Sequence, residues 1–149
     1  MHKIDTKWSK GILTFSFLFL SFIFISCTTT RRSIAIEEGW ELLGETKVNF
    51  VRDVDLIDVS SKHQFIALRF KVEGKDVRLH ELKVHFDNGD KLDPAIDLVI
   101  LAGTESRIIE LAREGRTIDR IEFKYRTTGS VLEGRANVLV FGQRYNPGY

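Results

Sequence analysis

The stretch HQFIALRFKV, residues 63–72, decides the fold. Ile66, Leu68, Phe70 and Val72 take every second place, and Arg69 and Lys71 fill places between them. Period-two alternation gathers the apolar set on one face of a strand and the charged set on the other. A helix would scatter both sets around its axis, so this segment reads as a half-buried β-strand. DVRLHELKVHF (76–86) repeats the pattern, with Leu82, Val84 and Phe86 against Glu81, Lys83 and His85. Val77 and Leu79 have the opposite parity, which predicts a β-bulge near His80. TIDRIEFKYRT (117–127) sets Ile121, Phe123 and Tyr125 inward against Arg120, Glu122, Lys124 and Arg126. RANVLVFGQR (135–144) is apolar on both faces at its centre, the mark of an interior strand.

Shorter strand candidates are WELL, KVNFVR, DLIDV, AIDLVIL and RIIEL. Turn chemistry separates the strands, in EGKD, DNGD, AGTES, REGR and TTGS. Asn88-Gly89 carries the signal of a two-residue hairpin. ELARE (110–114) allows one helical turn, but no segment sustains a helical stripe. About nine short, mostly antiparallel strands at this spacing predict an all-β fold. The expected form is a single jelly-roll-like β-sandwich over residues 40–149. A mature chain of about 120 residues buries roughly two thirds of its surface and needs no disulfides.

The first 26 residues differ from the rest. Lys3, Lys7 and Lys10 precede the apolar run ILTFSFLFLSFIFIS (12–26). As a helix that run covers roughly 22 Å, short of the ~30 Å hydrocarbon core. A positive start, a short apolar run and small residues at its end describe a signal peptide, with an uncleaved anchor helix or a leader cut elsewhere as the plain alternatives. The chain's one cysteine, Cys27, stands at the junction with TTTRRSIAIEEG (28–39), a polar tether. As a coil the tether reaches only ~20 Å, and fully extended ~40 Å.

Phe24-Ile25-Ser26-Cys27 resembles the lipobox of bacterial lipoproteins, with Phe24 where the pattern usually has Leu. The resemblance implies diacylglyceryl attachment to the Cys27 sulfur, cleavage before it, and further acylation with a chain such as palmitate. Several buried acyl chains, at ~0.8 kcal/mol per CH₂, give stable membrane anchorage. The implied location is the bacterial cell envelope, facing the periplasm or the cell surface. Loss of the leader removes Lys3, Lys7, Lys10 and Asp5, leaving 19 basic and 20 acidic residues of the original 22 and 21. That near-neutral balance argues against nucleic-acid binding.

Residues 40–144 also resemble a family of small secreted bacterial β-domains of unknown function. The marks are Trp40, the Leu43-Gly44 pair, the aspartates of RDVDLID, and the closing Gly134-Arg135-Ala136. This resemblance implies a β fold and brings no activity with it.

Chemistry-bearing residues are few. Asp53, Asp55 and Asp58 are the candidates for a Ca²⁺ site or for an envelope hydrolase, with Asp53 and Asp55 sharing one strand face. Asp87, Asn88, Asp90 and Asp93 lack EF-hand spacing and read as turn formers. His63, His80 and His85 lack zinc-motif spacing, and no serine sits in G-x-S-x-G. Arg120, Lys124 and Arg126 form a candidate binding stripe, with a solvated sheet face as the plain alternative. Trp40 and Tyr125 would stack on sugars only if exposed. Val131 and Leu132 mark the connection at 127–134 as a contact loop.

These features predict no cofactor and no catalysis. They point to a lipid-anchored module that binds an envelope protein, with a glycan as the alternative ligand and hydrolysis as a third option.

Overall fold

The computed structural model describes residues 36–48, 54–127 and 135–148. Nine strands appear there: β1 (Trp40–Lys47), β2 (Val54–Asp58), β3 (Gln64–Glu73), β4 (Val77–Phe86), β5 (Lys91–Leu92), β6 (Leu98–Ile100), β7 (Ile109–Glu110), β8 (Arg116–Thr127) and β9 (Asn137–Arg144). Every pairing is antiparallel, and no described residue is helical.

The front sheet runs β1-β9-β3, with β7 on the far edge of β3. The back sheet runs β2-β8-β4, with β5 and β6 on the far edge of β4. The long β8 joins them, because Arg116 and Thr117 pair with Phe65 and Gln64 of β3 before the strand continues into the back sheet. One antiparallel sheet thus curls until its limbs face each other. From β1 to β4 each successive strand changes limb, and from β7 to β9 it does so again, giving a jelly-roll arrangement.

The core fills the space between the limbs. Phe65, Leu68, Phe70 and Val72 of β3 meet Leu79, Leu82 and Val84 of β4 and Ile118, Ile121 and Phe123 of β8, all essentially inaccessible. Phe70 and Phe123 meet edge to face, with ring centroids 5.6 Å apart, the arrangement favoured by ring quadrupoles. Each such burial contributes roughly 1.5–3 kcal/mol. β9 lies between β1 and β3, and Val138, Leu139, Val140 and Phe141 are buried on both its faces, as an interior strand requires. On the opposite flank β1 and β2 close together. A Cβ on Gly44 would come within 2.3 Å of Ile57 Cγ2, so the Leu43-Gly44 step is where the two limbs touch.

The bulge near His80 is present as a register shift between Leu79 and Glu81. Three expectations need correction. Ile66 is not on the core face: a register shift between Phe65 and Ala67 puts Phe65 in the core and leaves Ile66 half-buried. The hairpin after β4 uses three loop residues rather than two. Gly89 donates to the Phe86 carbonyl at 3.0 Å, Phe86 N–H bonds Asp90 O at 2.9 Å, and Gly89 takes φ +88°. Residues 110–114 form no helical turn: Glu110 ends β7, and a turn at 113–114 follows. Asp53, the connection at 128–134 with Val131 and Leu132, and everything up to residue 35, including Cys27, lie outside the described residues.

Candidate functional site

The outer face of the back sheet carries the bases of β8. Strand alternation sends Arg120, Lys124 and Arg126 outward, and pairing with β4 sets each against a charged or ionisable partner. Lys124 Nζ donates to Glu81 at 2.8 Å, and Lys83 Nζ lies 2.7 Å from the same carboxylate. Hydrogen bonds from these two ammonium groups, with their charges, hold the Glu81 carboxyl down at about 2. Arg78 grips Asp97 through two bonds of 2.7 and 2.5 Å, which depress the Asp97 carboxyl and raise the guanidinium. His85 faces Glu122 at 3.9 Å, and Arg120 lies 3.7 Å from Asp119. Arg126 stands directly opposite Arg78 and shares with it, His80, Ile96 and Asp97 a shallow depression of about 490 Å³. The three bases therefore do not make a continuous positive stripe, because acids of β4 and of β8 itself interrupt it. Exposed pairs of this kind contribute about 0–1 kcal/mol each.

The acids of β2 separate. Asp55 pairs in register with core residue Phe123 and so points inward, where it accepts a hydrogen bond from Thr46 Oγ1 at 3.3 Å. Asp58 pairs with Arg120 on the outer face. The two carboxylates lie on opposite sides of one strand, and no group of three His, Cys, Asp or Glu side chains able to hold a metal occurs among the described residues. In the β4–β5 hairpin the acids serve the turn. Asn88 Oδ1 accepts the Asp90 N–H at 3.0 Å, and Asn88 Nδ2 donates to Asp90 at 2.9 Å. The Asp90 carboxylate also receives Arg116, whose guanidinium lies 4.0 Å over the Phe86 ring, and that bond draws the carboxyl below its usual range.

The front sheet holds a feature that the sequence did not announce. Two depressions adjoin at its Gln143. One, of about 470 Å³, is lined by Ile66, Ala67, Ile108, Leu111 and Arg113 among others. The second, of about 720 Å³, is lined by Glu38, His63, Arg144, Tyr145 and Asn146. The bulge that turns Ile66 out of the core supplies the apolar wall, a use of bulges common near binding sites.

At the polar end, His63 Nδ1 lies 2.7 Å from Glu41 Oε2 and 3.3 Å from Ser61 Oγ. Burial alone would raise the Glu41 carboxyl. Hydrogen bonds from Ser61 and His63, with the charges of His63 and Arg144, outweigh that and lower it. The set is not a nucleophile–base–acid relay. Such a relay needs the hydroxyl on Nε2 and the acid on Nδ1, whereas here both contacts fall on Nδ1.

The aromatic candidates are closed. Trp40 is 6% exposed and lies under Arg69, whose guanidinium sits 4.3 Å above the ring and pairs with Glu37 and Glu105 at 3.0 Å. Tyr125 is in the core beside Phe123. Neither offers a face to a sugar. His80 is exposed at its bulge and His85 is half-buried beside Glu122, so neither helps to build a metal site.

The chain belongs to the DUF2541 family, a domain of unknown function, whose family model matches residues 14–142. No curated protein and no solved structure matches the chain.

Proposed function

We propose that this member of the DUF2541 family is a lipid-anchored envelope protein whose β-sandwich works by holding a protein partner rather than by catalysis. The observation that carries the reading is the junction at Phe24–Cys27, where a short apolar leader meets the chain's one thiol and a polar tether. The family match begins at residue 14, inside the apolar run, which supports the leader and tether as part of the family's shared layout. The non-catalytic half of the reading is supported by the separation of Asp55 from Asp58 and by the geometry at His63. Ser61, His63 and Glu41 meet, but not in an order that activates a hydroxyl.

The test is Cys27→Ala in the producing bacterium. Acyl labelling should vanish, and the uncleaved precursor should accumulate. In-cell crosslinking of the wild-type chain should capture one defined envelope protein and lose it in the mislocalised variant. A mature chain of unchanged mass from Cys27→Ala would end the anchor reading.

A second reading, glycan binding, is favoured by the paired depressions around Gln143, where amides, guanidinium groups and the Tyr145 ring adjoin an apolar wall. Calorimetric titration with purified cell-wall glycans, repeated with Tyr145→Ala, separates the two readings. Saturable heat that the variant loses favours the glycan.

A further inference from the structure

The smaller depression beside Gln143 owes its shape to one short side chain. Glu110 of β7, Ala67 of β3 and Gln143 of β9 stand in one row across three strands, because Ala67 pairs with both of the others. Side chains paired in this way point to the same side. Ala67 lies between two long neighbours and is only 3% exposed, so the row dips there. Around that floor stand Ile66, half-buried at the bulge, and Leu111, whose N–H bonds the Ile66 carbonyl at 2.8 Å. Ile109 is buried in the core, and alternation sends Ile108 and Glu110 the other way, leaving Ile108 50% exposed.

Two exposed charges line the same depression, Glu110 and Arg113. Among the described residues they form no ion pair with each other, and neither side chain, nor the Gln143 carboxamide, takes another partner. On the back sheet, by contrast, opposite charges are joined, as in Arg78–Asp97 and Lys124–Glu81. No aromatic ring stands among the lining residues, so a sugar finds no stacking platform there. An apolar floor with an acid, a base and a carboxamide complements an apolar side chain, an ammonium, a carboxylate and a peptide group.

We infer that this depression holds an extended segment of a protein partner, in which an apolar side chain stands between a basic and an acidic one. The inference rests on the protein-holding reading above and names the contact through which the partner is held. In an extended segment residues i, i+2 and i+4 share one side and span ~13 Å. The middle side chain seats over Ala67, the basic one reaches Glu110 and the acidic one Arg113. Gln143 is left for the backbone of the segment, as donor and acceptor at once. A contact this small is weak alone and gains from confinement of both proteins on one surface.

The test is a calorimetric titration of the full chain, purified from its native membrane, with end-capped peptides. The probes are Lys-Ser-Leu-Ser-Glu, Lys-Ser-Leu-Ser-Lys and Glu-Ser-Leu-Ser-Glu. The first should bind at least about threefold more tightly than either of the others, the scale of one exposed ion pair. Glu110→Lys should move the preference to the doubly acidic peptide, and Arg113→Glu to the doubly basic one. Both positions are exposed, so these chains should keep the fold. Replacing the central Leu of the first peptide by Ser should weaken it at least about fivefold. Equal affinity for the three peptides, or a ranking unmoved by both charge variants, overturns the inference. Binding to phosphatidylethanolamine vesicles with no preference among the peptides overturns it in favour of lipid. The titration reads the depression whatever Cys27 carries, so failure of the anchor reading appears separately. Capture of a partner in the cell without this ranking strikes the depression alone and leaves the protein-holding reading in place.

Discussion

The outer faces of the two sheets are built from the same alternating strands and differ in what they do with their charge. On the back sheet, Glu81, Lys83, Glu122 and Lys124 stand in a checkerboard open to water. On the front sheet, Trp40, Ala67, Leu139 and Phe141 are buried on the outer side, and Arg69 lies across two of them. In one layer the charges satisfy one another in solvent. In the other a single guanidinium, 14% exposed, works mainly as a packing surface over aromatic rings. A charged residue on an outward position is therefore no guide to its role; what lies beneath it decides.

Three substitutions put that contrast under strain, from the largest expected effect to the smallest. Phe141→Ala, although on the outer side of the front sheet, should cost about 3–5 kcal/mol in a denaturant melt, as a core truncation does. A loss under ~1 kcal/mol would mean that this face is not a second core. Arg69→Ala should cost about 1–3 kcal/mol, from lost cation–π contact and lost cover over Trp40, since Glu37 and Glu105 stay open enough to rehydrate. Trp40 fluorescence should shift to the red. The smallest effect belongs to Glu81→Gln on the back sheet. Because the folded-state carboxyl is depressed to about 2, its contribution is present above its ordinary value of 4.5 and fades as pH falls towards 2. The variant should differ from wild type only above that window and converge with it at the acid end. The difference should shrink in salt.

Much of this architecture is written in local pattern. The alternation in 76–86 carries the His80 bulge because two parities meet inside one apolar run. The double-sided apolar centre of 135–144 places β9 between two strands because only an interior strand buries both faces. The bulge at Ile66 is a different matter. Phe65, Ile66, Ala67 and Leu68 are all apolar, so either parity would fill the core there, and the shift arises from how β3 meets the end of β9, where Phe65 pairs with Arg144 and Ala67 with Gln143. The groove that follows from it was invisible for the same reason. Glu41 and His63 lie 22 residues apart on the chain and are brought together by the fold, with no motif to join them. The split between Asp55 and Asp58 was legible, since an odd spacing on a strand puts two side chains on opposite faces.

The amino terminus of the chain in its native membrane gives the most direct test of the proposed anchor. Intact-mass and fragment spectra of the protein taken from its native membrane should show residue 27 first, carrying a diacylglyceryl thioether on its sulfur. A chain that retains residues 1–26, or begins with an unmodified residue, would contradict the anchor and the envelope role built upon it.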